Sequence, residues 1–384
     1  MKKTHIGGVY YGAHNIGDEA ILISMINSFK DDCKLSVSSY DDKWIKNKYS
    51  DVDVDIIDTN YGKPILGMYS IPRKNLIKAI KNVQKDKKMY SQKDLYICGG
   101  ATILSDCPWY SLRTIELAQK VKTRSILFGV GMAEIKDKDA MEYIKKVCNS
   151  IDDIYVRDNF VKERLISLGV NQEKVKICYD TAITLQPNSE FLLDRYLNKT
   201  EINKYEDECI NIGITLSGEE DVTGRTPIDE IKKIIKYLIK KYNANVFLIP
   251  TNTRVGQDID LMRNLKINDK VILVENEFSP EDLIAFMKNF SFVLSSRLHM
   301  NILSSVVGTP SIGLVRNSKI IDFSKVMDLK YFDLDNFDIK GILDYSDYII
   351  KNNDDARNKL INKIAKMKQI HFECVKEVKD KYLR

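Results

Sequence analysis

Short apolar runs alternate with amphipathic stretches along most of this chain, and that rhythm restricts the fold more than any other feature. Ile6–Tyr11, Leu35–Ser39, Val54–Ile57, Leu95–Cys98, Ser125–Phe128, Ile154–Val156 and Val175–Cys178 read as strands. Gly17–Phe29, Leu76–Val83, Ser111–Val121, Asp139–Cys148 and Asn159–Leu168 read as the helices among them. Strands that are apolar throughout and separated by helices pair in parallel and are buried on both faces. Residues 186–208 break the rhythm and read as a connection. A second series then begins, with strands at Ile210–Leu216, Asn245–Ile249, Val271–Val274, Phe292–Leu294 and Ser311–Leu314. Its helices fall at Ile228–Lys241, Pro280–Asn289 and Leu298–Val307. At 384 residues the chain exceeds one ordinary core. The expectation is an α/β protein with two Rossmann-like domains facing a cleft. They would cover residues 1–185 and 209–345, joined by the linker 186–208, with a basic amphipathic helix over 346–384 packing across them.

Charge and cysteine usage exclude several classes. The net charge of +5 is concentrated in the tail, where Ala356–Arg384 holds nine Lys or Arg against three Asp or Glu. The remainder is near neutral and carries no basic stripe, so no nucleic-acid partner is expected. Within the tail, Leu360, Ile364, Met367, His371, Cys374 and Val378 recur at helical spacing. That stripe reads as a packed face with solvated lysines, and His371 as a packed residue; the alternative is peripheral docking on an anionic membrane. The seven cysteines include no CxxC pair, which fits reduced thiols and gives no cysteine metal site. No apolar run reaches the about 18 residues a membrane helix needs, and MKKTHIGGVYYGAHN has no signal-peptide core. The expected location is cytoplasmic, at most peripheral to the inner face of the membrane.

Chemistry is expected where strands end and helices begin, because ligands of open α/β sheets bind there and helix N-termini favour anions. Ser295-Ser296-Arg297-Leu298-His299-Met300-Asn301 occupies such a junction. Arg297 offers a fork for a carboxylate or phosphate, and His299 can move protons near neutral pH. After the next strand come Arg316 and Lys319, which would add positive charge to the same pocket if the strands are neighbours, and otherwise belong to a solvated loop. The N-terminal turn, Gly12 to Ala20, runs through Asn15, Gly17, Asp18 and Glu19 into a helix. Its glycines miss dinucleotide spacing and no P-loop lysine follows. Asp18 reads equally as a catalytic carboxylate or as a first-turn acid favoured by the helix dipole. Gly99-Gly100 and Gly129-Val130-Gly131 form two more strand-end turns, and Arg157-Asp158 opens another helix as either a site arginine or a solvated one beside an N-cap.

Together these segments resemble the polysaccharide pyruvyl transferase family. The matching pieces are GAHNIGDEAIL (12–22), ICGGATIL (97–104), GVGM (129–132), VRDNFVKERLISLG (156–169) and CYDTAITL (178–185). They continue through LIPTNTRVGQDIDLM (248–262), the segment 279–314, and Lys319. The resemblance implies a GT-B-like fold, phosphoenolpyruvate as donor substrate with no further cofactor or metal, and a sugar diol on a glycan or lipid-linked precursor as acceptor. It implies Arg157, Arg297 and His299 for the donor; His299 then reads as the general acid or as the group that protonates the departing phosphate. Leu298, Arg316 and Lys319 stand beside them. Asn15, Gly17, Asp18, Gly99 and Gly100 fall to the first domain's side of the cleft, with Asp18 as candidate base. Two departures stand out: Ala101 follows Gly99-Gly100 where the family has a third glycine, and Ser217 stands where an arginine is common, with Arg225 in the following loop. The rival expectations are a nucleotide-sugar glycosyltransferase of the same architecture and a non-catalytic binding protein on this fold.

Overall fold

The computed structural model describes residues 1–8, 11–56, 76–197, 209–218, 226–253 and 257–384, and for 76–80 the backbone alone. Val9, Tyr10 and Ile57 of the expected strands, residues 198–208 of the expected linker, and Arg225 lie outside the described residues. Two compact units emerge, Met1–Ala182 with Met367–Arg384, and Ile183–Lys366.

In the first unit the elements run β1 (Lys3–Gly7), α1 (Ile16–Phe29), β2 (Lys34–Ser39), α2 (Lys43–Lys48), β3 (Asp53–Ile56) and α3 (Leu76–Tyr90). They continue with β4 (Leu95–Gly99), α4 (Trp109–Lys120), β5 (Arg124–Val130), α5 (Lys138–Ser150), β6 (Asp153–Val156), α6 (Asn159–Ser167) and β7 (Val175–Ile177). The strands pair in parallel in the order β3-β2-β1-β4-β5-β6-β7. β4 is buried at every residue, as a strand covered on both faces must be. The connections leave β1 in one direction and β4 in the other, so the switch point lies between these two strands.

The second unit repeats the plan. Its elements are β8 (Asn211–Thr215), α7 (Ile228–Tyr242), β9 (Asn245–Leu248), α8 (Asp258–Arg263), β10 (Val271–Leu273), α9 (Pro280–Met287) and β11 (Phe290–Ser295). After them come α10 (Leu298–Val306), β12 (Ser311–Val315), α11 (Ser318–Met327), β13 (Tyr331–Asp333), α12 (Ile339–Lys351) and α13 (Asn353–Tyr382). The order β10-β9-β8-β11-β12-β13 is again all parallel, with its switch point between β8 and β11. Helix α7 shows how the pattern becomes packing. Ile231, Ile234, Ile235 and Leu238 face the sheet fully buried, each contributing about 2 kcal/mol by leaving water. The helix stops at Asn243, which takes the left-handed conformation at φ 51°.

The boundaries differ from the sequence reading in two places. Residues from 183 belong to the second unit, and part of the expected linker is packed there. Tyr196 stacks on Phe278 at 4.1 Å between centroids, and the Asn188 side-chain amide donates to Asp282 at 2.5 Å. The tail is not one helix from 346: α12 ends at Lys351, and α13 begins at Asn353. The sequence pattern also missed α2, α8, α11, α12 and β13. The apolar stripe is buried at all six positions, which settles it as a packing face rather than a membrane face. Among the described residues no helix is long and apolar enough to cross a membrane.

Polar groups are buried with these elements. His371 Nδ1 lies 2.9 Å from the Cys178 carbonyl oxygen, against the edge of Phe128. His5 sits between the hydroxyls of Ser36 and Ser38 at 2.9 and 2.8 Å. Desolvation pushes His371 down to about 4; desolvation and then Lys93 push His5 down to about 3. Burial pushes the thiols of Cys98 and Cys148 up to about 12, so they are inert at neutral pH.

Both histidines are neutral when folded and protonate near pH 6.5 when unfolded, so the unfolded chain binds more protons at mildly acid pH. Stability is therefore expected to fall as pH drops from about 6.5 to about 4. His371 accounts for a loss on the order of 2–3 kcal/mol. Urea midpoints across this range should show the slope, and His371→Met should flatten it. An unchanged slope in the variant would contradict the assignment.

Candidate functional site

Both switch points are furnished with polar side chains, and the second unit's is the more strongly built. The ends of β8 and β11 are level, with Thr215 opposite Ser295, so Ser217 and Arg297 emerge side by side. Ser295 Oγ accepts from the Arg297 amide and donates to its carbonyl, both at 3.0 Å. This tight turn holds Arg297 extended as the residue preceding α10. Ser296, fully enclosed, accepts from the Ser217 amide at 2.8 Å. The chain thus reaches the N-terminus of α10 with Arg297 as the cap, and Leu298 and His299 as the first two helical residues. All three are half-buried.

The Arg297 side chain is not a free fork. Its Nη2 and Nε donate to Asp258 at 2.5 and 3.2 Å. Asp258 opens α8, is fully buried, and also accepts from the Gly218 amide at 2.8 Å and from the Thr251 amide and hydroxyl at 3.2 and 2.6 Å. Strand β12 is a neighbour of β11. From its end Arg316 donates through Nη1 to the Ser217 hydroxyl, so the solvated-loop alternative for Arg316 does not hold. Lys319 lies half-buried in the first turn of α11. Arg316, bonded to Ser217, and Arg297, at the neighbouring strand end before a helix N-terminus, make an arrangement suited to a small, multiply charged anion.

In the first unit, β1 and β4 bring two of the expected turns together. Asn15 caps α1, its Oδ1 accepting from the Gly17 amide at 3.1 Å. Asp18 and Glu19 lie in the first helical turn and are buried, where the helix dipole favours negative charge. The Tyr11 hydroxyl donates to the Gly99 carbonyl at 2.5 Å. Burial foremost, and then Cys98, Asp18 and Asp180, hold this phenol well above its ordinary range, so it remains a donor. Two strands further along, Arg157 is buried rather than solvated. Its guanidinium is packed so closely on Gly131 that a Cβ there would lie 2.5 Å from Cζ. Its Nε donates to Asp158 at 3.2 Å, while Asp158 caps α6 through the Val161 amide at 2.8 Å. Among the described residues no acceptor reaches Arg157 Nη1.

Asp258, Thr251, Ser296, Tyr11 and Asp180 were not singled out from the sequence. Asp258 and Asp180 do lie within the quoted motifs, each following a strand. Acids at that position are a readable signal, but which donors they collect depends on neighbours 40 residues or so away, as with Gly218 and Asp258.

The glycine turn gives a paired test. Gly100 has φ +71°, and a Cβ there would lie 2.1 Å from Ile21 Cγ2. Ala101 already occupies the left-handed region at φ 54°. Gly100→Ala is expected to cost about 2 kcal/mol or more. Ala101→Gly should be neutral or stabilising by up to about 1 kcal/mol, since relief of strain offsets the extra entropy of the unfolded glycine. Chemical denaturation of the two variants checks both signs.

With this geometry in hand, comparisons with known proteins place the chain. No curated protein matches its sequence. Solved structures share its fold at low identity. The Staphylococcus aureus MnaA–UDP complex superposes with TM-score 0.66 and 13% identity, over 99% of this chain and 96% of that one. A glycosyltransferase from Rickettsia africae gives 0.63 and 13% over 99% of both chains. Anabaena HepE in complex with UDP and glucose gives 0.62 and 12%, over 99% of this chain and 100% of that one. These likenesses establish a two-domain α/β fold of the GT-B-like kind. The family model for polysaccharide pyruvyl transferase matches residues 15–318, and the chain belongs to that family.

Proposed function

We propose that the protein transfers the enolpyruvyl group of phosphoenolpyruvate to two hydroxyls of a sugar in a cell-surface glycan or its lipid-linked precursor, giving a pyruvate ketal and phosphate. The observation that carries this reading is that Arg316 donates to the Ser217 hydroxyl while Ser296, the residue before Arg297, holds the Ser217 amide, beside the α10 N-terminus that bears His299. Phosphoenolpyruvate carries a carboxylate and a phosphate on adjacent positions. Two guanidinium groups and a helix N-terminus match that charge pattern.

The chemistry needs two proton transfers and no change of oxidation state. A proton delivered to the methylene carbon turns it into a methyl group and leaves C2 electron-poor. A sugar hydroxyl adds to C2 and gives up its proton. The second hydroxyl then forms the other C–O bond as the C2–O bond to phosphate breaks, and its proton leaves with the phosphate. The two hydroxyl protons balance the one placed on carbon and the one carried off. His299 is assigned as the acid at the methylene carbon, and the arginines hold the phosphate as negative charge returns to it. On the acceptor side we assign Asp18 as the group receiving a hydroxyl proton, with Asn15, Gly17, Gly99 and Gly100 shaping that turn.

Phosphate release from phosphoenolpyruvate should therefore require sugar, and in heavy water the product methyl should carry one deuteron. His299→Ala should lower turnover about 10²–10⁴-fold while leaving the thermal midpoint near wild type. Wild-type turnover in that variant, or phosphate release equally fast without sugar, would refute the assignment.

A further inference from the structure

We infer that Asp258 is the positioning residue of the anion site, setting the direction in which Arg297 presents its guanidinium; this rests on reading Arg297 as a contact to phosphoenolpyruvate. Asp258 is fully buried, and its two oxygens accept from five donors: the Gly218 amide, the Thr251 amide and hydroxyl, and Arg297 Nε and Nη2. A carboxylate offers about four lone-pair sites, so nothing is left with which to touch a ligand. It acts through Arg297. The Nε–Nη2 edge of the guanidinium is spent on Asp258, which leaves the Nη1 end outside that pairing. The Nη1 end is therefore the part offered to substrate, at a fixed angle.

The same carboxylate joins three strand ends. Gly218 follows β8, Thr251 follows β9 and Arg297 follows β11. Ser295 and the Asn301 amide fix the backbone of Arg297, the latter at 3.2 Å to its carbonyl oxygen. Asp258 fixes the other end of the residue. With one carboxylate balancing its charge inside the protein, Arg297 contributes orientation more than net attraction for a dianion. Ordering of this kind precedes ligand binding, so substrate need not supply it.

A double-mutant cycle on phosphoenolpyruvate affinity, read by calorimetry, separates positioning from general support of the fold. Asp258→Asn should weaken binding about 10–100-fold, the loss that removing an outer hydrogen-bond partner causes at metal-ligating side chains. Adding Asp258→Asn to Arg297→Ala should then cause little further loss. Additive losses would overturn the inference. The nitrogen-15 spectrum of the arginine Nε–H groups supplies a readout free of any substrate. The Arg297 Nε–H should exchange slowly in the ligand-free wild type and rapidly in Asp258→Asn, and an unchanged signal would equally overturn the inference. Thr251→Val, which removes one donor of the five, should move that signal part of the way and serves if Asp258→Asn does not fold. If wild type binds no phosphoenolpyruvate, the proposed function fails, and the spectrum alone decides whether Asp258 positions Arg297.

Discussion

A parallel sheet leaves its ligand only a few places to sit, and that constraint organises both halves of this protein. Every strand must exit at the same edge, and side chains can gather only where adjacent connections diverge. In the second unit that place lies between β8 and β11, and it is braced by the ion pair of buried Asp258 with half-buried Arg297. Asp258 and Arg297 are each costly to bury alone. Together, with two backbone amides and a hydroxyl completing the carboxylate, they form a satisfied network in a region of low dielectric. Ser217 and Ser296 extend it to Arg316. The first unit uses the same edge differently: buried acids at the start of α1, a buried tyrosine donating to Gly99, and a buried arginine packed on Gly131.

The difference between the two edges is chemical. The second collects guanidinium groups at a helix N-terminus and suits an anionic donor. The first collects buried acids, a buried tyrosine and a buried arginine among backbone turns. The structural likeness to UDP-binding proteins at 12–13% identity speaks to the scaffold alone. A Rossmann-like edge can be furnished for either donor.

Strand positions followed from the sequence wherever strands were apolar runs bounded by helices. Leu95–Cys98 and Ser311–Leu314 came within a residue or two of β4 and β12, because a strand buried on both faces has no polar positions to confuse its pattern. The short α8 and β13 did not stand out, being held by tertiary contacts more than by periodicity. Arg297 and His299 were legible because a strand end beside a helix start is a local signal. The partners were not. Asp258 lies 39 residues from Arg297, and Ser217 lies 99 from Arg316; nothing in one sequence announces such pairings. Arg157 could be read as solvated or functional, and its burial against Gly131 is a property of the folded chain. Buried His371 was anticipated for a plain reason: it sits on an apolar helical stripe.

The most direct measurement follows the carbon at C2 of phosphoenolpyruvate. With that carbon labelled and the protein supplied with a panel of glycosides and lipid-linked sugars, carbon-13 spectra report where the label goes. The account predicts a new ketal carbon bonded to a methyl, a carboxylate and two acceptor oxygens, appearing in step with phosphate. Label left in phosphoenolpyruvate while a nucleotide sugar is consumed by the same protein would contradict it and return the fold to glycosyl transfer.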